Sequence, residues 1–196
     1  MNRRTCKLAE VVTSLKDGDL LLFRRRGLIS VYGRGEWSHA AMVVWWDGVA
    51  MCVESREWVG SRAVTLRSQV AKHPGRIDAF GVDAQAFQAK QLARQVPFRH
   101  AVKIEALKKL GAPYSYWSVI RCAFLHLPGL RWIKLNPTND DAKPGRGEHC
   151  SQFFVSAWRR ATTIDPVPHL ADWATEPNDL GRSPICAKHY VGTLIP

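Results

Sequence analysis

The chain has 196 residues, 46% hydrophobic and 23% charged, the balance of a globular protein long enough to bury a real core in one domain. No apolar run approaches the roughly 18 residues of a membrane-spanning helix, and no apolar stretch precedes Asp17, so neither a span nor a secretory signal is expected and the chain reads as cytoplasmic when synthesised. The net charge of +11, densest at Arg3-Arg4 and Arg24-Arg25-Arg26, favours anionic partners; nucleic acid is not expected, since no zinc finger, aromatic RNA-binding signature or helix-turn-helix pattern accompanies the charge.

The predicted elements follow in chain order. Residues 8–16 suit a short helix, Gly18-Asp19 leads into a strand at 20–24, and Leu28 to Tyr32 reads as a helical turn. Two apolar runs, His39 to Trp46 and Val49 to Glu54, flank Asp47-Gly48, a strong hairpin signal. A third strand is expected near Ala63 to Leu66 and a fourth at Arg76 to Phe80, after the break at Pro74-Gly75. Residues 84–95 and 100–110 read as helices separated by Pro97, the second ended by Gly111.

Residues 116–135 are apolar but broken by Pro128-Gly129, and predict a core helix followed by a lid, with a membrane-facing surface as the alternative because Trp117, Phe124 and Trp132 alternate with Arg121 and Arg131. Residues 136–147 form a polar Pro/Gly-rich loop. Apolar positions 150, 153, 154, 157, 158 and 161 then trace one face of a helix beginning at Cys150. From Asp165 onward Pro166, Pro168, Pro177 and Pro184 predict an extended C-terminal tail packed on the surface of a single 1–196 domain, with 116–147 as lid or insertion.

Cys150 is the first candidate for chemistry. A thiol in the first turn of a helix lies near unpaired N–H groups and the positive end of the dipole, both of which favour thiolate. The alternative is a packed core thiol, since free cysteines are mostly buried. If Asp47-Gly48 are the two loop residues of the hairpin, Trp46 faces Val49, Ala41 faces Glu54 and His39 faces Arg56. His39 and Glu54 then project from one side of the ribbon as diagonal neighbours, about 7–8 Å apart at the backbone. Glu54 can orient the imidazole and stabilise imidazolium; as an ordinary polar pair it would serve His39 or Arg56 structurally.

The series Gly18-Asp19-Leu20-Leu21-Leu22, Ser38-His39-Ala40-Ala41-Met42-Val43, Val53-Glu54-Ser55, Gly111-Ala112-Pro113-Tyr114-Ser115 and Cys150-Ser151-Gln152 resembles the circularly permuted papain-like hydrolases of the NlpC type. The similar branch holds YiiX/YebB-like amidases and lecithin:retinol acyltransferase-like proteins, in which the histidine strand precedes the cysteine helix. The resemblance implies an α+β fold, an antiparallel sheet or partial barrel packed against helices, with Cys150 as nucleophile, His39 as base and Glu54 as orienting group. It assigns Tyr114, with Ser38 and Ser151, to substrate binding or the oxyanion. Gln152 stands where the family often has glutamate, and the stretch from Tyr114 to Cys150 is long.

Five scattered cysteines (6, 52, 122, 150 and 186) make neither a disulfide framework nor a zinc motif, and seven histidines show no ligand spacing, so no metal or other cofactor is expected. Three functions stay open. The first is a thiol amidase or peptidase acting on anionic cell-wall peptides. The second is lipid-directed acyl transfer or ester cleavage with peripheral membrane contact, and the third is a binding protein that keeps the shape without the chemistry.

Overall fold

Strand β2 (Leu20–Arg24) alternates its leucines between two apolar environments: Leu20 and Leu22 enter one core, Leu21 and Phe23 the other. The computed structural model describes residues 4–25, 35–82, 97–125 (backbone only at 122–125), 147–187 and 189–196. Its chain order is β1 (Thr5–Lys7), α1 (Leu8–Val11), β2, β3 (His39–Trp46), β4 (Val49–Arg56), β5 (Gly60–Thr65), α2 (Leu66–Lys72), β6 (Arg76–Gly81), α3 (Phe98–Lys108), α4 (Tyr116–Leu125), α5 (Cys150–Thr162), α6 (Pro177–Leu180) and β7 (His189–Ile195). The seven strands form one sheet in the order β1-β7-β6-β2-β3-β4-β5, antiparallel except between β1 and β7.

The fold is thus mixed α+β, with core on both faces of the sheet. Met42, Val44, Val53 and Phe80 pack with Val102 and Ala106 of α3 and with Phe153, Phe154, Ala157 and Trp158 of α5. On the other face Ala41, Val43, Cys52, Ile77 and Ala79 meet Leu66 and Val70 of α2 and Leu8 and Leu15. The short Gly18-Asp19 sequence joins these layers. Gly18 has φ +87°, and a Cβ there would come within 2.6 Å of the Trp158 ring. Buried Asp19 accepts from the Lys16 and Val82 N–H groups and from Arg99, fixing the start of β2 to the end of β6 and to α3.

The hairpin has the expected register. Trp46 pairs with Val49 and Met42 with Val53, and Asp47 (φ 48°) and Gly48 (φ 74°) both take the left-handed conformation of a two-residue turn. Other expectations need correction. The third strand starts earlier, at Gly60, and Leu66 begins a helix capped by Thr65 rather than ending a strand. The segment 116–121 is not core: Trp117 is 69% exposed and Ile120 also lies open to solvent. The C-terminal stretch is not a surface tail throughout, because β7 lies inside the sheet between β1 and β6 with Thr193 and Leu194 buried. Strand pairing supplies what the prolines obscured: Pro166, Pro168, Pro177 and Pro184 all precede residue 189, leaving 189–195 free of proline with β-branched Val191, Thr193 and Ile195. The expected elements at 28–32, 84–95 and the lid beyond residue 125 lie outside the described residues.

Candidate active site

Helix α5 begins where the stripe predicted it. His149 takes an extended conformation (φ −83°, ψ 173°) and caps the helix, its Nδ1 accepting from the Gln152 N–H at 3.5 Å while its carbonyl accepts from Phe153 at 2.8 Å. All six stripe residues, Cys150 included, are buried. The approach to the helix is anchored from three sides. The Ser55 hydroxyl donates to the Glu148 carbonyl at 2.6 Å, and Tyr114 bridges Glu148 through the backbone. The Glu148 carboxylate accepts from Lys109 at 2.8 Å and from the Ser156 hydroxyl at 3.0 Å. The first turn of α5 is thereby held against the end of the sheet where β4 finishes and β3 starts.

His39 opens β3 at that same end. Its Nε2 lies 2.6 Å from Glu54 Oε2, and the ring stands close enough to the Cys150 thiol for their charges to interact, Nδ1 being the nitrogen left to serve it. The edge of Phe23 packs against the imidazole at 5.1 Å between centroids and limits its rotation. Cys150 is 3% exposed and the His39 side chain 21%, so solvent reaches the pair from the histidine side. Glu54 is fully buried and holds Arg62 through its other oxygen, with Nε at 2.9 Å and Nη2 at 2.7 Å.

These contacts set the charges. Burial opposes the thiolate, yet the charge of His39 beside it, with the neighbouring His149, holds Cys150 well below the ordinary thiol range. Burial likewise opposes the imidazolium, and the Cys150 and Glu54 charges overcome it, raising His39 to about 10. Glu54 is lowered to about 2 against its own burial, first by His39 and then by Arg62. The other thiols contrast with this one. Burial pushes Cys52 well up and Cys186 to about 12. A thiol, an imidazole and a carboxylate with these shifts favour a thiolate–imidazolium–carboxylate arrangement, chemistry suited to attack on an electrophilic carbon with return of a proton.

The remaining expected site residues fall into place unequally. Ser151 is buried, its hydroxyl 3.9 Å from the Cys150 sulfur. Tyr114 lies beside the approach to Cys150 and its ring meets Tyr116 at 5.1 Å. Ser38 turns its hydroxyl to the Phe23 carbonyl at 3.3 Å, a strand-end hydrogen bond that leaves it no free proton for substrate. His149, adjacent to Cys150 in sequence and left out of the triad because neighbouring residues point in different directions, caps α5 and donates through Nε2 to the Trp173 carbonyl at 3.1 Å. One residue went unread in the sequence. Arg62 stands opposite Glu54 in the β4–β5 ladder, which a strand beginning at Gly60 would have revealed.

An exposed aromatic group lies next to these elements. Trp58, 88% exposed, donates its backbone N–H to the Tyr116 hydroxyl at 2.8 Å, and their rings are 5.4 Å apart. Arg121 of α4 lies 4.0 Å above the Trp173 ring. Among the described residues no helix is long and apolar enough to cross a membrane, and no group of three or more His, Cys, Asp or Glu side chains is placed to hold a metal ion.

No protein-family model matches the chain, and no curated protein matches it. Among solved structures it is similar to the crystal structure of the metalloprotein yiiX from Escherichia coli O157:H7, described as DUF1105. The two share 15% identity over 91% of this chain and 89% of the other, with a TM-score of 0.53. The likeness is one of fold, a mixed α+β architecture of similar extent in both chains.

Proposed function

We propose that the chain is a cysteine hydrolase of permuted papain-like architecture that cleaves an amide bond through a thioester, with peptidoglycan peptides as substrate. The observation that carries this reading is the placing of the Cys150 thiol, at the start of a helix, beside a His39 whose other nitrogen lies 2.6 Å from Glu54. The order of the elements supports it, with the histidine strand before the cysteine helix, as does the fold shared with a YiiX protein.

In this mechanism the Cys150 thiolate attacks the substrate carbonyl. The N–H groups of Cys150 and Ser151, in the first turn of α5, have no acceptor among the described residues and can bind the oxyanion; one such donor is worth about 3–4 kcal/mol of barrier lowering in acyl transfer. His39, protonated on Nδ1, delivers its proton to the leaving amine as the tetrahedral adduct collapses to the thioester. Neutral His39 then takes a proton from water, the hydroxide adds to the thioester, and collapse expels the thiolate with the free acid. Glu54 keeps Nε2 protonated and stabilises the imidazolium throughout.

The neighbour is described as a metalloprotein, and the groups gathered here do not fit a resident metal. Both Glu54 oxygens are occupied, one by His39 and the other by the Arg62 guanidinium, whose positive charge stands where a cation would have to approach. The steps above therefore run through side chains alone.

The test is digestion of purified muropeptides by the wild type and by Cys150→Ala. The variant should fold normally and release no new amine; turnover equal to the wild type would show that another group is the nucleophile. A second reading, acyl chemistry on lipid, is favoured by the exposed aromatic group of Trp58, Tyr116 and Trp117 beside the site and by the net charge of +11. Release of fatty acid from phosphatidylglycerol vesicles, with muropeptides left intact, would select it.

A further inference from the structure

The two oxygens of Glu54 have separate partners. Oε2 faces His39 Nε2, whereas Oε1 accepts two hydrogen bonds from Arg62 and has Arg56 Nη1 at 4.0 Å. The carboxylate therefore cannot turn about its last bond without breaking one side. Arg62 belongs to β5, an edge strand, yet the strand is not free. Ser61 donates its N–H to the Ala112 carbonyl and accepts from Gly111, both at 2.8 Å. Gly60, at φ +83°, lies so close to this loop that a Cβ would approach the Ala112 oxygen to 2.4 Å. The loop Gly111–Tyr114 thus clamps the strand that carries Arg62 and also runs beside Glu148, two residues before the nucleophile.

We propose that Arg62 is a positioning residue for the thiol chemistry, an inference that rests on the hydrolase reading above: its two-pronged contact fixes Glu54 so that one oxygen always faces His39 and the imidazole always presents its other nitrogen to Cys150. A planar guanidinium does this where an ammonium cannot, because the fork matches the carboxylate edge and makes two bonds in one orientation. The charged and titratable groups around Glu54 are His39 from β3, Cys52 and Arg56 from β4 and Arg62 from β5, with Cys150 of α5 reached through His39. Without Arg62 the buried carboxylate would keep His39 and the more distant Arg56, and burial would favour its neutral form. A protonated Glu54 no longer supports imidazolium, and the thiolate loses its counter-ion.

The experiment reads the Cys150 thiolate directly, as the rate of carbamidomethylation by iodoacetamide between pH 4 and 9, with the labelled site located by mass spectrometry. The wild type should react rapidly into the acid range. Arg62→Met should move the acid limb up by about one pH unit, a rate about tenfold lower at pH values below the wild-type limb with little change at pH 8. Arg62→Lys should restore part of that limb and guards against a Met variant that fails to fold. Superimposable limbs for the wild type and both variants would overturn the role of Arg62 while leaving the nucleophile in place. A wild-type Cys150 that reacts only in alkali, as an ordinary thiol does, would sink the hydrolase reading and this inference with it.

Discussion

Glu54 and Asp78 are both fully buried carboxylates on strands of one sheet, and both hold an arginine. Asp78 is saturated inside the fold: Arg24 and the Thr193 hydroxyl donate to one oxygen, each at 2.5 Å, and the Trp37 indole donates to the other at 2.8 Å. Its partners lead back into β2, β7 and the segment before β3. Glu54 gives one oxygen to Arg62 and the other to His39. Burial and an ion pair thus do not distinguish a site from a structural knot. What differs is that one partner of Glu54 is a partly exposed histidine beside a thiol, whereas every partner of Asp78 is held inside the fold.

Substitutions can break this comparison. The largest expected effect is on turnover: His39→Ala should lower kcat/KM by about 10²–10⁴-fold, whereas Asp78→Asn should leave activity per folded molecule nearly unchanged. Muropeptide assays on both variants decide; equal losses would erase the distinction. In stability the order reverses. Asp78→Ala strands Arg24 and the Trp37 indole in the core and should cost about 3–5 kcal/mol in a urea titration.

Acid titration sharpens the contrast. The folded pKa of Glu54, about 2, lies below its ordinary 4.5, so its contribution is complete above pH 4.5 and is lost as pH falls toward 2. The shift corresponds to about 3 kcal/mol, shared with His39 and Arg62. Glu54→Gln should flatten the stability–pH curve across that window, measured by denaturation at pH 5 and pH 3. The smallest effect belongs to the aromatic surface. Trp58→Ala should change stability by no more than about 0.5 kcal/mol, since the ring is open to solvent. A larger loss would mean that the ring packs as core.

Much of the site was legible before any coordinates. The Asp47-Gly48 turn determines the hairpin register by local backbone chemistry, and register alone puts His39 and Glu54 on one side of the ribbon. The period of apolar residues after position 150 likewise determines a helix whose first turn contains Cys150. Both are local facts, governed by residues close together in the chain.

Other features depend on contacts between distant segments. Nothing near His189 says that the last strand enters the sheet between β1 and β6; its place follows from pairing with residues at the far end of the chain. Trp117 and Ile120 look like core by composition, but a helix buries its apolar face only where another layer covers it, and none of the described residues does so here. Arg62 became a partner of Glu54 because the turn after Arg56 sets the β4–β5 register. The sequence by itself determined the elements and the two halves of the site. Only the tertiary structure decided that the thiol stands beside the imidazole, because that placing depends on how the sheet and α5 pack together, and packing sums many distant contacts that no short stretch of chain encodes.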